Sequence, residues 1–297
     1  MRIGIVRYRG KSLRCVDPAG LLGASSIAHI CDDQVFFNHV DGEGKEFDVT
    51  ILIGTPQMVE WYKTRKPKWG KVLFMFYKAS LELNNLKEIP SIDLFDGILT
   101  TQKNTKSWDI FGKPVIDTFL PYIPESFDAE KKEKAVVIIK HLEDKNVNFI
   151  DTLSVFKKTG MKGIVSTNCA FPYSEDTEKL NGLVKKLNLD LEVNRPKNRQ
   201  EYMESISDCS VMLTMDSRQS YGRWVVDAAT LGIPCIGTYS TMQEILYPEY
   251  MVYPNEIDKA VELVKTAKPK NIDWSLFEPH QVRKALEGKI EANFGRI

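Results

Sequence analysis

The sequence has no surplus of charge: Lys plus Arg and Asp plus Glu each number 40 in 297 residues, and the formal net charge is zero. No whole-molecule field draws such a chain to nucleic acid or to an anionic membrane, so either partner would need a local basic cluster. Cysteine is scarce. Cys15, Cys31, Cys169, Cys209 and Cys235 are odd in number and contain no C-x-x-C spacing, which argues against a disulfide framework and for a reducing, cytoplasmic setting. No His/Cys cluster has metal-ligand spacing, so no metal site is expected. No stretch comes near the roughly 18 apolar residues of a membrane helix. Residues 2–6 enter a strand-like run at once, without the apolar segment of a secretory signal, and a soluble chain is expected. The G-x-G-x-x-G dinucleotide fingerprint is missing, as are a G-x-S-x-G nucleophile elbow and a phosphate loop ending Gly-Lys-Ser/Thr. These absences weigh against a nicotinamide oxidoreductase, a serine hydrolase and a P-loop enzyme.

What is present is a repeated alternation of buried-strand and helix patterns, with length enough for two ordinary domains. Apolar runs at residues 2–8, 47–54, 72–77, 97–100 and 114–119 predict a mainly parallel first sheet. Residues 120–134 carry two prolines and then a charge run, the composition of a hinge. Strand patterns resume at 135–139, 162–166, 189–193, 209–213 and 235–237. Helices are expected at 177–187, 201–207, from Gly222 to Gly232, at 257–266 and at 278–292. Two basic stretches stand out. The loop after the first strand holds Arg9, Lys11, Arg14 and then Asp17; residues 61–71 hold five basic side chains and three aromatics with no acid. Aromatics interleaved with base can hold nucleic acid, but lysine stems laid over apolar surface at a helix end are the favoured reading.

Residues 202–234 decide the functional reading. A buried strand leads through a polar loop to Gly222, then to a helix with Trp224, Val225, Ala228, Ala229 and Leu231 on one face, then Gly232, Pro234 and a second buried strand. The helix N-terminus at Gly222 offers unpaired backbone N–H groups and the positive end of a dipole, a place for an anion. The run Gln219, Ser220, Tyr221, Gly222, four residues, Asp227, Ala228, and later Gly232-Ile233-Pro234 resembles the retaining, nucleotide-sugar-dependent (group 1) glycosyltransferases of the GT-B fold. Those enzymes have Glu where this chain has Gln219 and Glu where it has Asp227. The likeness is closest over residues 201–265, partial over 135–146 and topological before that.

The resemblance implies an α/β chain of two Rossmann-like domains facing across a cleft. It implies an acceptor-side domain at 1–125, a donor domain at 126–275, and a terminal helix at 276–297 packing back on the first domain. It further implies a nucleotide-sugar donor, UDP-sugar foremost, as substrate with no separate cofactor, and catalysis without an essential metal, since the D-x-D motif of the alternative transferase fold is lacking. Asp227 would hold the donor ribose and Gln219 the donor sugar. Ser220 and the amides of Tyr221 and Gly222 would line the diphosphate. Lys145, one residue early against the pattern, and His141, in the place of an Arg, would face the leaving phosphate, with Lys140 or Arg218 as the permanent cation that His141 does not supply. Arg195 and Pro196 would lie at the nucleotide base, and residues 238–244 would line the donor sugar. Retention lets the leaving phosphate take the acceptor proton; inversion would need a base, for which Asp17 is the candidate, though Asp17 before Pro18 also reads as a helix cap. The acceptor is left open among a glycan, a small molecule and a modified DNA base. A degenerate nucleotide-sugar-binding module is the competing reading, prompted by Gln219, Asp227 and His141.

Overall fold

The computed structural model describes residues 1–8, 24–37, 46–54, 56–65, 69–76, 92–101, 112–127, 129–139, 149–167, 174–194, 196, 199–216 and 221–297. They form two compact units, one from the described residues up to Ile123 together with Asp273–Ile297, the other from Pro124–Ile272.

The first unit contains β1 (Ile3–Tyr8), α1 (Ala24–Ala28), β2 (Asp33–Phe37), β3 (Val49–Gly54), α2 (Pro56–Arg65), β4 (Lys71–Phe76), β5 (Gly97–Thr100) and β6 (Val115–Asp117). These make one parallel six-stranded sheet in the order β2-β1-β3-β4-β5-β6. The central strands are apolar along their length because a parallel sheet is covered on both faces; Ile3, Ile5, Ile51, Leu52, Leu73 and Ile98 are fully buried. The strand β2 is absent from the sequence expectation. Its run DQVFF opens on two polar residues and lies at the sheet edge with one neighbour, so it lacks the continuous apolar signature.

The second unit contains β7 (Lys134–Ile139), α3 (Phe149–Thr159), β8 (Lys162–Thr167), α4 (Ser174–Lys186), β9 (Leu191–Asn194), α5 (Arg199–Ile206), β10 (Val211–Thr214), α6 (Arg223–Thr230), β11 (Cys235–Gly237), α7 (Thr241–Leu246) and α8 (Ile257–Thr266). Its five strands are parallel in the order β11-β10-β7-β8-β9. The order reverses between β7 and β10, and such a switch point is where open α/β sheets leave a crevice at the carboxyl ends of the strands. Local hydrogen bonds shift two strands from their expected starts. The Cys209 amide donates back to Ile206 O (3.1 Å) and the Leu189 amide to Val184 O (3.0 Å), so each residue closes a helix rather than opening a strand. The expected polar loop 238–244 is cut short likewise. Ser240 caps α7, its hydroxyl accepting from the Gln243 amide at 3.1 Å.

The last helix, α9 (Pro279–Phe294), belongs to the first unit. Arg283 fixes it there by donating to both carboxylate oxygens of Asp32 (3.0 and 2.9 Å), to Ile30 O (3.0 Å) and to Met1 O (2.9 Å). A planar guanidinium suits this two-pronged geometry. Its hydrogen bond holds the Asp32 carboxyl below its usual range, and the Arg283 pKa is raised in turn.

Candidate functional site

The strand β10 ends at Thr214, and the chain reaches α6 through Tyr221 and Gly222. Gly222 has φ 83° and ψ 54°, the left-handed region, and a Cβ placed there would collide with Ser240 Oγ and lie 2.7 Å from Ser240 Cβ. Only glycine satisfies both demands. Gly222, as the N-cap of this eight-residue helix, supplies no side-chain cap; the Val225 amide donates to Gly222 O at 3.1 Å, and the positive end of the helix dipole lies at Gly222. The cradle is braced from the next element, where the Met242 amide of α7 donates to Tyr221 O at 2.9 Å. Beside it, the Thr238 hydroxyl donates to Asp216 O. Gly237 passes so close to β10 that a Cβ would sit 2.8 Å from Thr214 O. Asp216, Thr238 and Ser240 are all buried. They lie at the carboxyl ends of adjacent parallel strands, where open α/β sheets carry their ligand crevices.

Asp227 lies one turn into α6 and is 3% exposed. A buried carboxylate needs a partner, and it has two. Arg199 Nη1, from the first turn of α5, donates to Oδ1 at 2.6 Å, and Arg223 Nε lies 3.6 Å from Oδ2. Arg199 is itself buried, with its Nε 3.6 Å from Glu125 Oε2. Burial and the Asp227 charge push up the phenol of Tyr202 on α5 and the thiol of Cys235 on β11, so neither ionises near neutrality.

Among the sequence candidates, Tyr221 and Gly222 lead directly into α6 and Asp227 lies one turn inside it. Asp17, His141, Lys145, Arg195, Arg218, Gln219 and Ser220, with Arg9, Lys11, Arg14 and Lys140, lie outside the described residues. Pro196 is buried. Sequence reasoning missed Arg199, Arg223 and Glu125. The pairing of Arg223 with Asp227 was legible as an i, i+4 contact; nothing in the sequence links Arg199 to a carboxylate 28 residues on.

In the basic stretch, Trp69 is 2% exposed and its ring centroid lies 5.6 Å from Trp61 and 6.2 Å from Tyr62. Tyr62 in turn packs 5.9 Å from Phe95. Trp69 and Phe95 belong to the core, and Trp61 and Tyr62 are partly buried against it. Lys63 and Lys71 pair with Glu60 (2.7 Å) and Asp96 (3.0 Å). A cavity of about 340 Å³ in the first unit lies between the end of β6 and α9, and Asp117 and Lys289 on its wall are already paired at 2.8 Å. Among the described residues no three His, Cys, Asp or Glu side chains gather as for a metal, and no helix is long and apolar enough to cross a membrane.

No family model matches the sequence, and neither does any curated protein. Solved structures do match. The pneumococcal O-GlcNAc transferase GtfA, in complex with UDP and GlcNAc, gives a TM-score of 0.60 at 11% identity over 84% of this chain and 57% of its own. The lipopolysaccharide outer core galactosyltransferase WaaB, in apo form, gives 0.61 at 13% over 98% and 99%. The chain has the GT-B fold. Anabaena HepE, in complex with UDP, extends the likeness, with 0.60 at 9% over 99% and 96%. This GT-B chain thus spans just over half of the pneumococcal transferase and nearly the full length of the other two.

Proposed function

We propose that the chain is a glycosyltransferase that moves a sugar, hexosyl or pentosyl, from a nucleoside-diphosphate donor to an acceptor hydroxyl, with UDP-sugar as the leading donor. The observation that carries this reading is the glycine-led N-terminus of α6 at the switch point of the second sheet, with a carboxylate one turn further along. The solved neighbours that include UDP and UDP-glucose complexes support it. In this reading the second unit binds the donor and the first the acceptor. The α6 amides, with Lys145, Arg218 and His141, receive the diphosphate; Asp227 takes the ribose and Gln219 the sugar, with Ser220 and Arg195 beside them. As the glycosidic C1–O bond breaks, its electron pair passes to the β-phosphate oxygen. Donors aimed at that developing charge supply the catalysis, each about 3 kcal/mol. The acceptor oxygen bonds C1 from the same face and its proton passes to the departing phosphate, which gives retention without an essential metal. Asp17 would be the base of an inverting variant. The acceptor is a glycan, a small molecule or a modified DNA base, and a DNA acceptor would make binding steeply salt-dependent.

The test is a panel of UDP-, GDP- and ADP-sugars read by thermal shift and then by transfer or hydrolysis. A bound donor at 100 times its Kd adds about 2.7 kcal/mol, and turnover above background completes the case. Binding without turnover would instead favour a non-catalytic nucleotide-sugar module, the reading that Asp227, already engaged by Arg199, recommends. No response to any nucleotide sugar would refute both.

A further inference from the structure

Resting on the donor-site reading above, we propose that Arg199 is a positioning residue that presents one oxygen of Asp227 to the ribose of the nucleotide. The two carboxylate oxygens are not equivalent. Oδ1 is anchored by a charge-assisted bond of 2.6 Å from Arg199, whose side chain is 6% exposed. Oδ2 has Arg223 Nε at 3.6 Å, beyond hydrogen-bond length, and Arg223 is 21% exposed. Oδ2 therefore keeps lone pairs for a hydroxyl, while Oδ1 is spent on orientation. Arg199 Nη1 bonds Asp227, and its Nε faces a second charge, Glu125 Oε2, at 3.6 Å, an ion pair rather than a hydrogen bond. The rigid guanidinium fork on the 2.6 Å bond constrains the direction of the Asp227 carboxylate, with the Glu125 charge adding attraction to Arg199. A lysine ammonium, a point charge on a flexible stem, would neutralise Asp227 without orienting it. The arrangement matches the outer partners of metal-site ligands, which set the direction of a group they do not replace. It also accounts for how a carboxylate one methylene shorter than the expected Glu can serve the same hydroxyls: the shorter arm is aimed rather than free.

A purely structural clamp between α5 and α6 would show the same contacts, so the experiment reads the ribose itself. Using the full chain, whichever of UDP, GDP and ADP raises Tm most is titrated calorimetrically alongside its 2′,3′-dideoxy analogue. In the native protein the ribo-nucleotide should bind about tenfold more tightly than the dideoxy form, the worth of one charge-assisted bond. Arg199→Met and Arg199→Lys should bring that ratio toward one while leaving the Kd of the dideoxy nucleotide nearly unchanged. Glu125→Gln, at a half-exposed position, should lower the ratio less and keeps the test open if the Arg199 variants do not fold. A ratio that stays at its native value in variants of reduced stability overturns the inference and leaves the donor site standing. Equal binding of the two forms by the native protein overturns it too. Failure of all three nucleotides to bind removes the donor-site reading first and this inference with it.

Discussion

The two units bury polar groups differently. In the first, the buried polar side chains among the described residues are Ser26, Thr50, Thr100, Thr101 and Thr118; in the second they include Arg199, Asp216, Asp227 and Gln243. A hydroxyl such as that of Thr50 serves the local backbone, donating to Trp69 O at 2.9 Å. Burying a charge costs several kcal/mol before pairing, and a well-packed apolar replacement is often at least as stable. The second unit therefore carries a burden that packing alone does not explain, and the burden sits beside the α6 cradle. The first unit is held by packed rings and by the external Arg283 staple, features that need no ligand.

The largest expected effect comes from breaking the buried pair. Asp227→Ala leaves the buried Arg199 charge without the carboxylate it bonds at 2.6 Å, and should lower unfolding free energy by about 3–5 kcal/mol, read by urea denaturation, and abolish the nucleotide-induced rise in Tm. Next, Gly222→Ala forces a side chain into the left-handed region and against Ser240. A loss of about 2–3 kcal/mol is expected, together with weakened nucleotide affinity because the α6 amides move. In the first unit, Arg283→Ala should cost about 1–2 kcal/mol, reduced from the value of a buried pair because Asp32 is 37% exposed. Its nucleotide-induced Tm shift should match that of the native protein. A diminished shift would erase the contrast drawn between the units. The smallest effect is on pH dependence. Because Arg283 holds the Asp32 carboxyl below its usual range, this pair contributes fully above the unfolded carboxylate value of about 3.9 and loses its contribution as pH falls through the lower folded value. The stability gap between the native protein and Asp32→Asn should therefore close on going from about pH 5 to about pH 2. A gap that widens in acid would contradict the pairing.

Much of the framework could be read from periodicity. The runs that became β5, β11 and α8 coincide with their expected spans, because a continuous apolar run or an amphipathic period is a local property of the chain. Where the reading fell short, a partner outside the element decided. The edge strand β2 takes its place from pairing with β1, and Cys209 and Leu189 are claimed by the helices before them. In the site, Gly222 and Asp227 were visible as a spacing, and the left-handed turn and the buried acid are what that spacing builds.

By itself the sequence determined the α/β alternation, the division into two units' worth of strands, and a glycine-led helix behind a buried strand, since each follows from which side chains can be buried at which period. Only the tertiary structure decided the order of the strands, which creates the switch point, and the meeting of Arg199 with Asp227. Residues 28 apart in sequence are joined by a long side chain of α5 reaching a carboxylate on α6, and no local pattern records that contact.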